Sequence, residues 1–156
     1  MSDGRRRSAL VIGVGNRDRG DDAVGPITVD RLTARGIAAI EHAGDGAALI
    51  DVWERADTVI LVDAMGSGGQ PGTIRRFDAV RERLPKGAFG VSSHLFGLVD
   101  AVETARALGR LPSNLIVFGI AGGSYGFGDL LSPPVQRALP EVVERVIAKL
   151  TRSRWR

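Results

Sequence analysis

Residues 58–62 of the chain read Thr-Val-Ile-Leu-Val and are followed by Asp63. A short apolar run that is rich in β-branched residues is typical of a strand buried on both faces. Residues 9–15, Ala-Leu-Val-Ile-Gly-Val-Gly, and residues 115–120 have the same character. We therefore predict three buried strands, with the strand over 58–62 at the centre of a sheet.

Segments with helical periodicity separate these strands. We predict helices over about 22–35, 93–108 and 134–150, a short helix opened by Asp45 or Gly46, and further strands over 37–40 and 73–77. Strands that alternate with helices in this way indicate a three-layer α/β/α sandwich around a largely parallel sheet.

The length of 156 residues is typical of a single domain, which we place over residues 1–156. The formal net charge is +3, and arginines cluster at both ends of the chain. Basic ends can bind nucleic acid or anionic lipid. We interpret residues 1–7 and 151–156 as flexible, solvated basic ends, so we expect no nucleic-acid partner.

The chain contains no cysteine, which excludes disulfides, zinc–thiolate sites and a thiol nucleophile. Near its start, the apolar run extends only from Ala9 to Val14. That run is too short for a signal peptide or a membrane span, so we expect a cytoplasmic protein that does not bind membranes.

Two carboxylates and an imidazole occur at predicted strand ends and at a predicted helix start. Asp22 follows the first strand, Asp63 ends the central strand, and His94 begins the next long helix. Because functional groups of such sheets gather at the carboxyl ends of the strands, we expect these three residues to be neighbours. They would suit a divalent transition metal and leave coordination positions open. The spacing also permits a purely structural interpretation, in which Asp21 and Asp22 cap a helix.

Other kinds of site have weaker support in the sequence. The glycines at 13, 15 and 20 lie between a strand and a helix, as in phosphate-binding loops. However, Asp21 and Asp22 would repel a phosphate there, so we predict no nucleotide cofactor. Ser92 and Ser93 precede His94 without forming a nucleophile motif, and we interpret one of them as a helix cap.

Four sequence segments, in order, resemble the hydrogenase maturation endopeptidase family from about Leu10 to Leu150. They are GVGNRDRGDDAVG at 13–25, LVDAM at 61–65, VSSHLFGL at 91–98 and LSPPV at 131–135. The resemblance implies a mixed, mostly parallel five-stranded sheet between helix layers, with one antiparallel strand.

The resemblance also implies a function and a set of site residues. It implies an endopeptidase that removes a C-terminal extension from the precursor of a nickel-iron hydrogenase large subunit. Asp22, Asp63 and His94 would contact nickel that the precursor itself supplies. Asp22 and Asp63 would serve catalysis, either by assisting a metal-activated hydrolysis or as a carboxyl pair that shares a proton.

Two other functions stay open on the sequence. The Gly-Val-Gly-Asn opening at 13–16 is similar to that of peptidyl-tRNA hydrolases, which act on an ester linked to nucleic acid. A non-catalytic module that binds a nickel-loaded partner would need the same ligands as the protease. Only the formation of a cleaved product separates the protease from this module.

Overall fold

The computed structural model describes residues 8–66, 69–89 and 96–154. Within these residues, strands and helices alternate along most of the chain. They are β1 (Ala9–Val14), α1 (Val24–Ala34), β2 (Ala39–His42), α2 (Gly46–Trp53), β3 (Thr58–Met65), β4 (Ile74–Asp78), α3 (Leu98–Ala107), β5 (Asn114–Ala121) and α4 (Pro133–Arg154). A 3-10 turn, Gly20–Ala23, lies between β1 and α1.

The strands form one five-stranded sheet in the order β2-β1-β3-β5-β4. Four of them are parallel, and β4 pairs with β5 in the antiparallel direction at one edge. The expected mixed, mostly parallel sheet is therefore confirmed, with β3 as its central strand.

The sheet separates two hydrophobic cores, which makes the fold a three-layer sandwich. The helices α1 and α4 pack on one face, and α2 and α3 pack on the other. All eight residues of β3 are buried. Successive side chains of a strand point to opposite faces, so Leu61, Asp63 and Met65 all point to the side of α2 and α3. Asp63 is thus a carboxylate inside a largely apolar layer.

The second strand lies two residues later than the sequence predicts. Its ladder with β1 joins Val11 to Ala39 and Val14 to His42, so the strand covers Ala39–His42. The backbone of Ile37 is already used, because its N–H donates to the carbonyl of Leu32 at the end of α1. Gly36, with a φ of +80°, makes the turn that this helix end requires.

Two further boundaries differ from the sequence prediction. Asp63 does not end β3, because the ladder with β5 continues to Met65 and Ala121. The helix predicted from residue 93 begins at Leu98, where the Asp100 carboxylate accepts a hydrogen bond from the N–H of Gly97. Ser92, Ser93 and His94 lie outside the described residues.

The last helix is longer than predicted and extends to Arg154. Residues 151–154, which we expected in a flexible basic end, are therefore helical. Of the described helices, α4 included, none combines the length and apolar composition that a membrane crossing requires.

Candidate active site

Asp22 and Asp63 lie near the carboxyl ends of neighbouring parallel strands. β1 lies between β2 and β3, and β3 lies between β1 and β5. The chain leaves β1 towards β2 and leaves β3 towards the opposite edge of the sheet. The crevice between β1 and β3 is therefore the topological switch point, which is the usual binding position in open α/β sheets.

Asp63 is a buried carboxyl group on β3, with 6% of its surface exposed. Its Oδ1 accepts a hydrogen bond from the N–H of Ala64 at 2.8 Å. Burial raises the pKa of Asp63 well above its usual value, and the charge of Asp22 raises it further, while the Ala64 N–H opposes both effects. The Asp63 carboxyl therefore retains its proton to a higher pH than an exposed aspartate.

Asp22 is also buried, with 4% of its surface exposed, and lies in the 3-10 turn. Its Oδ2 accepts a hydrogen bond from the N–H of Asn16 at 3.1 Å. The loop comes very close to the turn at Gly15, where the φ is +145° and a Cβ atom would lie 2.0 Å from the carbonyl oxygen of Asp22. Only glycine fits there, so the loop after β1 fixes the position of Asp22.

Asp21 does not cap α1, contrary to the structural interpretation of the sequence. The helix begins only at Val24, and no side chain caps its start. The Asp21 carboxylate instead accepts hydrogen bonds from the N–H groups of Gly123, Ser124 and Ser132 and from the Ser132 hydroxyl. These donors follow Asp21 by 102 to 111 residues, so local sequence patterns contain no signal for this contact.

Tyr125 is a further residue of this region that the sequence analysis missed. Its hydroxyl donates a hydrogen bond to the carbonyl of Met65 at 2.8 Å. Burial, together with the charges of Asp21, Asp22 and Asp63, raises the pKa of Tyr125 to about 12. The phenol therefore stays protonated at neutral pH and ties its loop to the end of β3. It is the single tyrosine of the chain, which is the one sequence signal that could have drawn attention to it.

The predicted metal ligands are brought together only in part within the described residues. Asp22 lies close enough to Asp63 for its charge to act on that carboxyl, whereas His94 lies outside the described residues. Among the residues described, no group of three or more His, Cys, Asp or Glu side chains is placed to hold a metal ion. The two carboxylates do suit a divalent cation, because a positive ion would favour the charged form of Asp63 against both causes of its raised pKa, burial first and the charge of Asp22 second.

The other histidine has a structural contact. His42 ends β2, and its Nδ1 accepts a hydrogen bond from the N–H of Gly44 at 2.9 Å. What the described site offers chemically is a buried carboxyl that can hold a proton beside a second carboxylate, an arrangement suited to general acid–base catalysis.

The chain matches the model of one protein family over most of its length. The model of the hydrogenase maturation protease family HycI matches residues 32–149, a span that includes Asp63 and begins after Asp22. The chain is 29% identical over 152 residues to the hydrogenase 2 maturation protease of Escherichia coli K12, covering 92% of this chain and 91% of that protein.

Two other relatives extend the comparison. The hydrogenase expression/formation protein HupD of Thiocapsa roseopersicina is 26% identical over 149 residues, or 90% of this chain, and the chain spans 66% of the length of that relative. The structure of the hydrogenase maturating endopeptidase HybD from Escherichia coli superposes with a TM-score of 0.74 at 26% identity, covering 93% of each chain. The chain belongs to the hydrogenase maturation protease family.

Proposed function

We propose that the chain is an endopeptidase that removes a C-terminal extension from the nickel-loaded precursor of a nickel-iron hydrogenase large subunit. The observation that carries the proposal is the buried pair Asp22 and Asp63 at the switch point of a chain that belongs to the hydrogenase maturation protease family. In this proposal nickel is part of the substrate, and the protease recognises it in the precursor.

The two carboxylates would have different roles in cleavage of the precursor. Asp63 has a raised pKa, so it can hold a proton and give it to the leaving amine. Asp22, whose Oδ2 accepts a hydrogen bond from the N–H of Asn16, would act as the base. The difference between their surroundings gives one acid and one base from two aspartates.

Recognition of the metal would use the same groups. We propose Asp22, Asp63 and His94 as the residues that contact the precursor's nickel. The two carboxylates would reach the ion from the carboxyl ends of the neighbouring strands β1 and β3. The ion would add Lewis-acid polarisation of the scissile carbonyl. The role of the chain is to hold the two carboxylates in place and away from bulk water.

The alternatives from the sequence differ in support. Membership of the hydrogenase maturation protease family favours the protease over an esterase that acts on peptidyl-tRNA. A nickel-dependent binding module would use the same residues, so it is distinguished only by an unchanged precursor mass. We therefore test the proposal by product formation.

Replacing His94 tests the third ligand. We expect His94→Ala to reduce cleavage of the nickel-loaded precursor by about 100-fold or more, because loss of one of three ligands weakens contact with the ion. The matched control is His42→Ala, which removes the only other histidine and its hydrogen bond to Gly44. We expect the control to cleave at close to the normal rate. Normal cleavage by His94→Ala, measured by mass spectrometry of the precursor, would remove His94 from the site.

A further inference from the structure

Asp21 is a completely buried carboxylate that accepts several hydrogen bonds. Four donors bind it: the N–H groups of Gly123 at 2.8 Å and Ser124 at 3.1 Å, and the N–H and hydroxyl of Ser132 at 2.7 and 2.8 Å. All four come from the segment between β5 and α4, which we call the β5–α4 loop (residues 122–132). A carboxylate accepts bonds only, so an asparagine could not satisfy the same set of donors.

The backbones of the 3-10 turn and the β5–α4 loop are also joined. The N–H of Asp21 donates to the carbonyl of Ser124 at 2.7 Å, and the N–H of Gly20 donates to the carbonyl of Asp129 at 3.1 Å. A Cβ atom on Gly122 would lie 2.9 Å from the Cβ of Asp21, which shows how closely the two segments pack. The turn and the loop are therefore joined through both backbones as well as through the Asp21 side chain.

The Asp21 carboxylate also lies at the start of α4. The carbonyl of Ser132 accepts the N–H of Gln136, so Ser132 is the N-cap residue of this 22-residue helix. Its hydroxyl donates to Asp21 instead of accepting from the first turn of the helix. The negative charge of Asp21 thus stabilises the positive end of the helix dipole from outside the helix.

The same loop is attached to the strand that carries Asp63. The N–H of Gly122 and the hydroxyl of Tyr125 both donate to the carbonyl of Met65, two residues after Asp63, at 3.1 and 2.8 Å. The β5–α4 loop therefore connects the turn that bears Asp22 with the end of β3.

The orientation of Asp22 depends on that of its neighbour. A 3-10 turn has about three residues per turn, so adjacent side chains point roughly 120° apart. Asp21 points to the loop, and Asp22 points to the other side, where its Oδ2 accepts from the N–H of Asn16. Fixing Asp21 thus fixes the rotation of the turn and the direction of the Asp22 carboxylate.

We propose that Asp21 is a positioning residue for the cleavage reaction: it joins the 3-10 turn to the β5–α4 loop and so holds Asp22 in register with Asp63. The effect on cleavage rests on the proposed function, whereas the effect on the geometry of Asp22 does not. Because small displacements of a catalytic group cost large factors in rate, loss of the Asp21 contacts should act on kcat and leave KM nearly unchanged.

Amide hydrogen exchange of Asp21→Asn, measured by NMR, tests the positioning directly. In this variant the side-chain NH2 group must face at least one of the four donors. We expect the exchange rate of the Asn16 N–H, which is bound to Asp22 and not to Asp21, to rise at least about tenfold. A residue that merely held the loop would speed exchange at Gly123, Ser124 and Ser132 only, and an unchanged Asn16 amide would overturn the proposal.

Two further variants keep the test decisive. Ser132→Ala removes one of the four donors and leaves the Asp21 carboxylate in place, so we expect this variant to fold. We expect its Asn16 exchange rate to rise, by less than in Asp21→Asn. Asp129→Asn is the matched control: it changes a carboxylate that accepts from the Ser124 hydroxyl within the loop, and it keeps the Asp129 carbonyl that accepts from the N–H of Gly20. We expect it to leave the Asn16 exchange rate unchanged.

Cleavage assays of the nickel-loaded precursor complete the experiment. We expect Asp21→Asn to lower kcat about tenfold with KM within about twofold of the wild type, and Asp129→Asn to change neither. A normal kcat for Asp21→Asn beside an active wild-type chain would overturn the positioning role in catalysis. If the wild-type chain itself fails to cleave, the proposed function fails, and the Asn16 exchange rate still decides whether Asp21 positions Asp22.

Discussion

Asp63→Asn is expected to abolish cleavage of the precursor and at the same time to make the isolated chain more stable at neutral pH. The loss of activity should be about 100-fold or more, because asparagine can neither carry the proton nor contact a metal ion as a carboxylate does. The gain in stability follows from burial: Asp63 is 6% exposed, and ionising it inside the α2 and α3 layer is unfavourable. The side-chain oxygen of asparagine can still accept from the Ala64 N–H.

The pH dependence of this stability gain has a definite sign. In the folded chain, burial and the charge of Asp22 raise the pKa of Asp63 above its usual value of 3.8. Above that value the folded chain binds more protons than the unfolded one, so wild-type stability falls as the pH rises towards the folded pKa. The advantage of Asp63→Asn should therefore be absent at low pH and grow with pH, reaching about 1 kcal/mol or more, or roughly 2–4 °C in Tm.

Calorimetric melting of the wild type and of Asp63→Asn from acid to neutral pH, with a chelator present, measures how the difference between their Tm values changes with pH. The control is Asp51→Asn on α2, whose side chain is 77% exposed and for which we expect no comparable gain. A lower Tm for Asp63→Asn at neutral pH would show that the Asp63 carboxylate stabilises the fold and contradict our account of its environment.

Gly15→Ala is expected to cost about 3 kcal/mol or more of unfolding free energy and to remove most of the activity. Two effects add: the φ of +145° is strained for any residue with a Cβ atom, and that atom would lie 2.0 Å from the carbonyl oxygen of Asp22. The turn that carries Asp22 would have to move to relieve this clash. The affected group is backbone, so a change of side-chain rotamer offers no escape.

Gly36→Ala is the matched control, since it makes the same substitution at a positive φ of +80° with nothing within 4 Å of the new atom. We expect it to lower the free energy of unfolding by only about 1 kcal/mol, because the backbone conformation alone is unfavourable for alanine there. Urea unfolding of both variants provides the comparison. Equal losses of unfolding free energy for Gly15→Ala and Gly36→Ala would show that the contact with the Asp22 turn contributes nothing.

The arrangement of layers could be predicted from the sequence because a strand that is buried on both faces is a continuous apolar run. The run Thr58–Val62 is apolar at every position but one, as a central parallel strand requires, and the structure places it at the centre of the sheet. Where an element ends is decided by its neighbours. β3 continues beyond Asp63 because β5 offers partners as far as Ala121, and no feature of β3 alone predicts that.

Only part of the geometry of the candidate site could be predicted from the sequence. Asp22 follows the apolar strand β1 and Asp63 follows the apolar run of β3, so their place near the carboxyl ends of these two strands could be inferred. The contacts of Asp21 and Tyr125 could not, because their partners, Ser132 and Met65, are 111 and 60 residues away and become neighbours only in the folded chain. For this reason Asp21 was interpreted as a helix cap.

The most direct test of the proposed function compares two forms of one substrate. A hydrogenase large-subunit precursor would be incubated with the chain in its nickel-loaded and nickel-free forms, and the products measured by mass spectrometry. We predict loss of a C-terminal peptide from the loaded form only. An unchanged mass for the loaded precursor would contradict the protease proposal, and equal cleavage of both forms would contradict recognition of the metal.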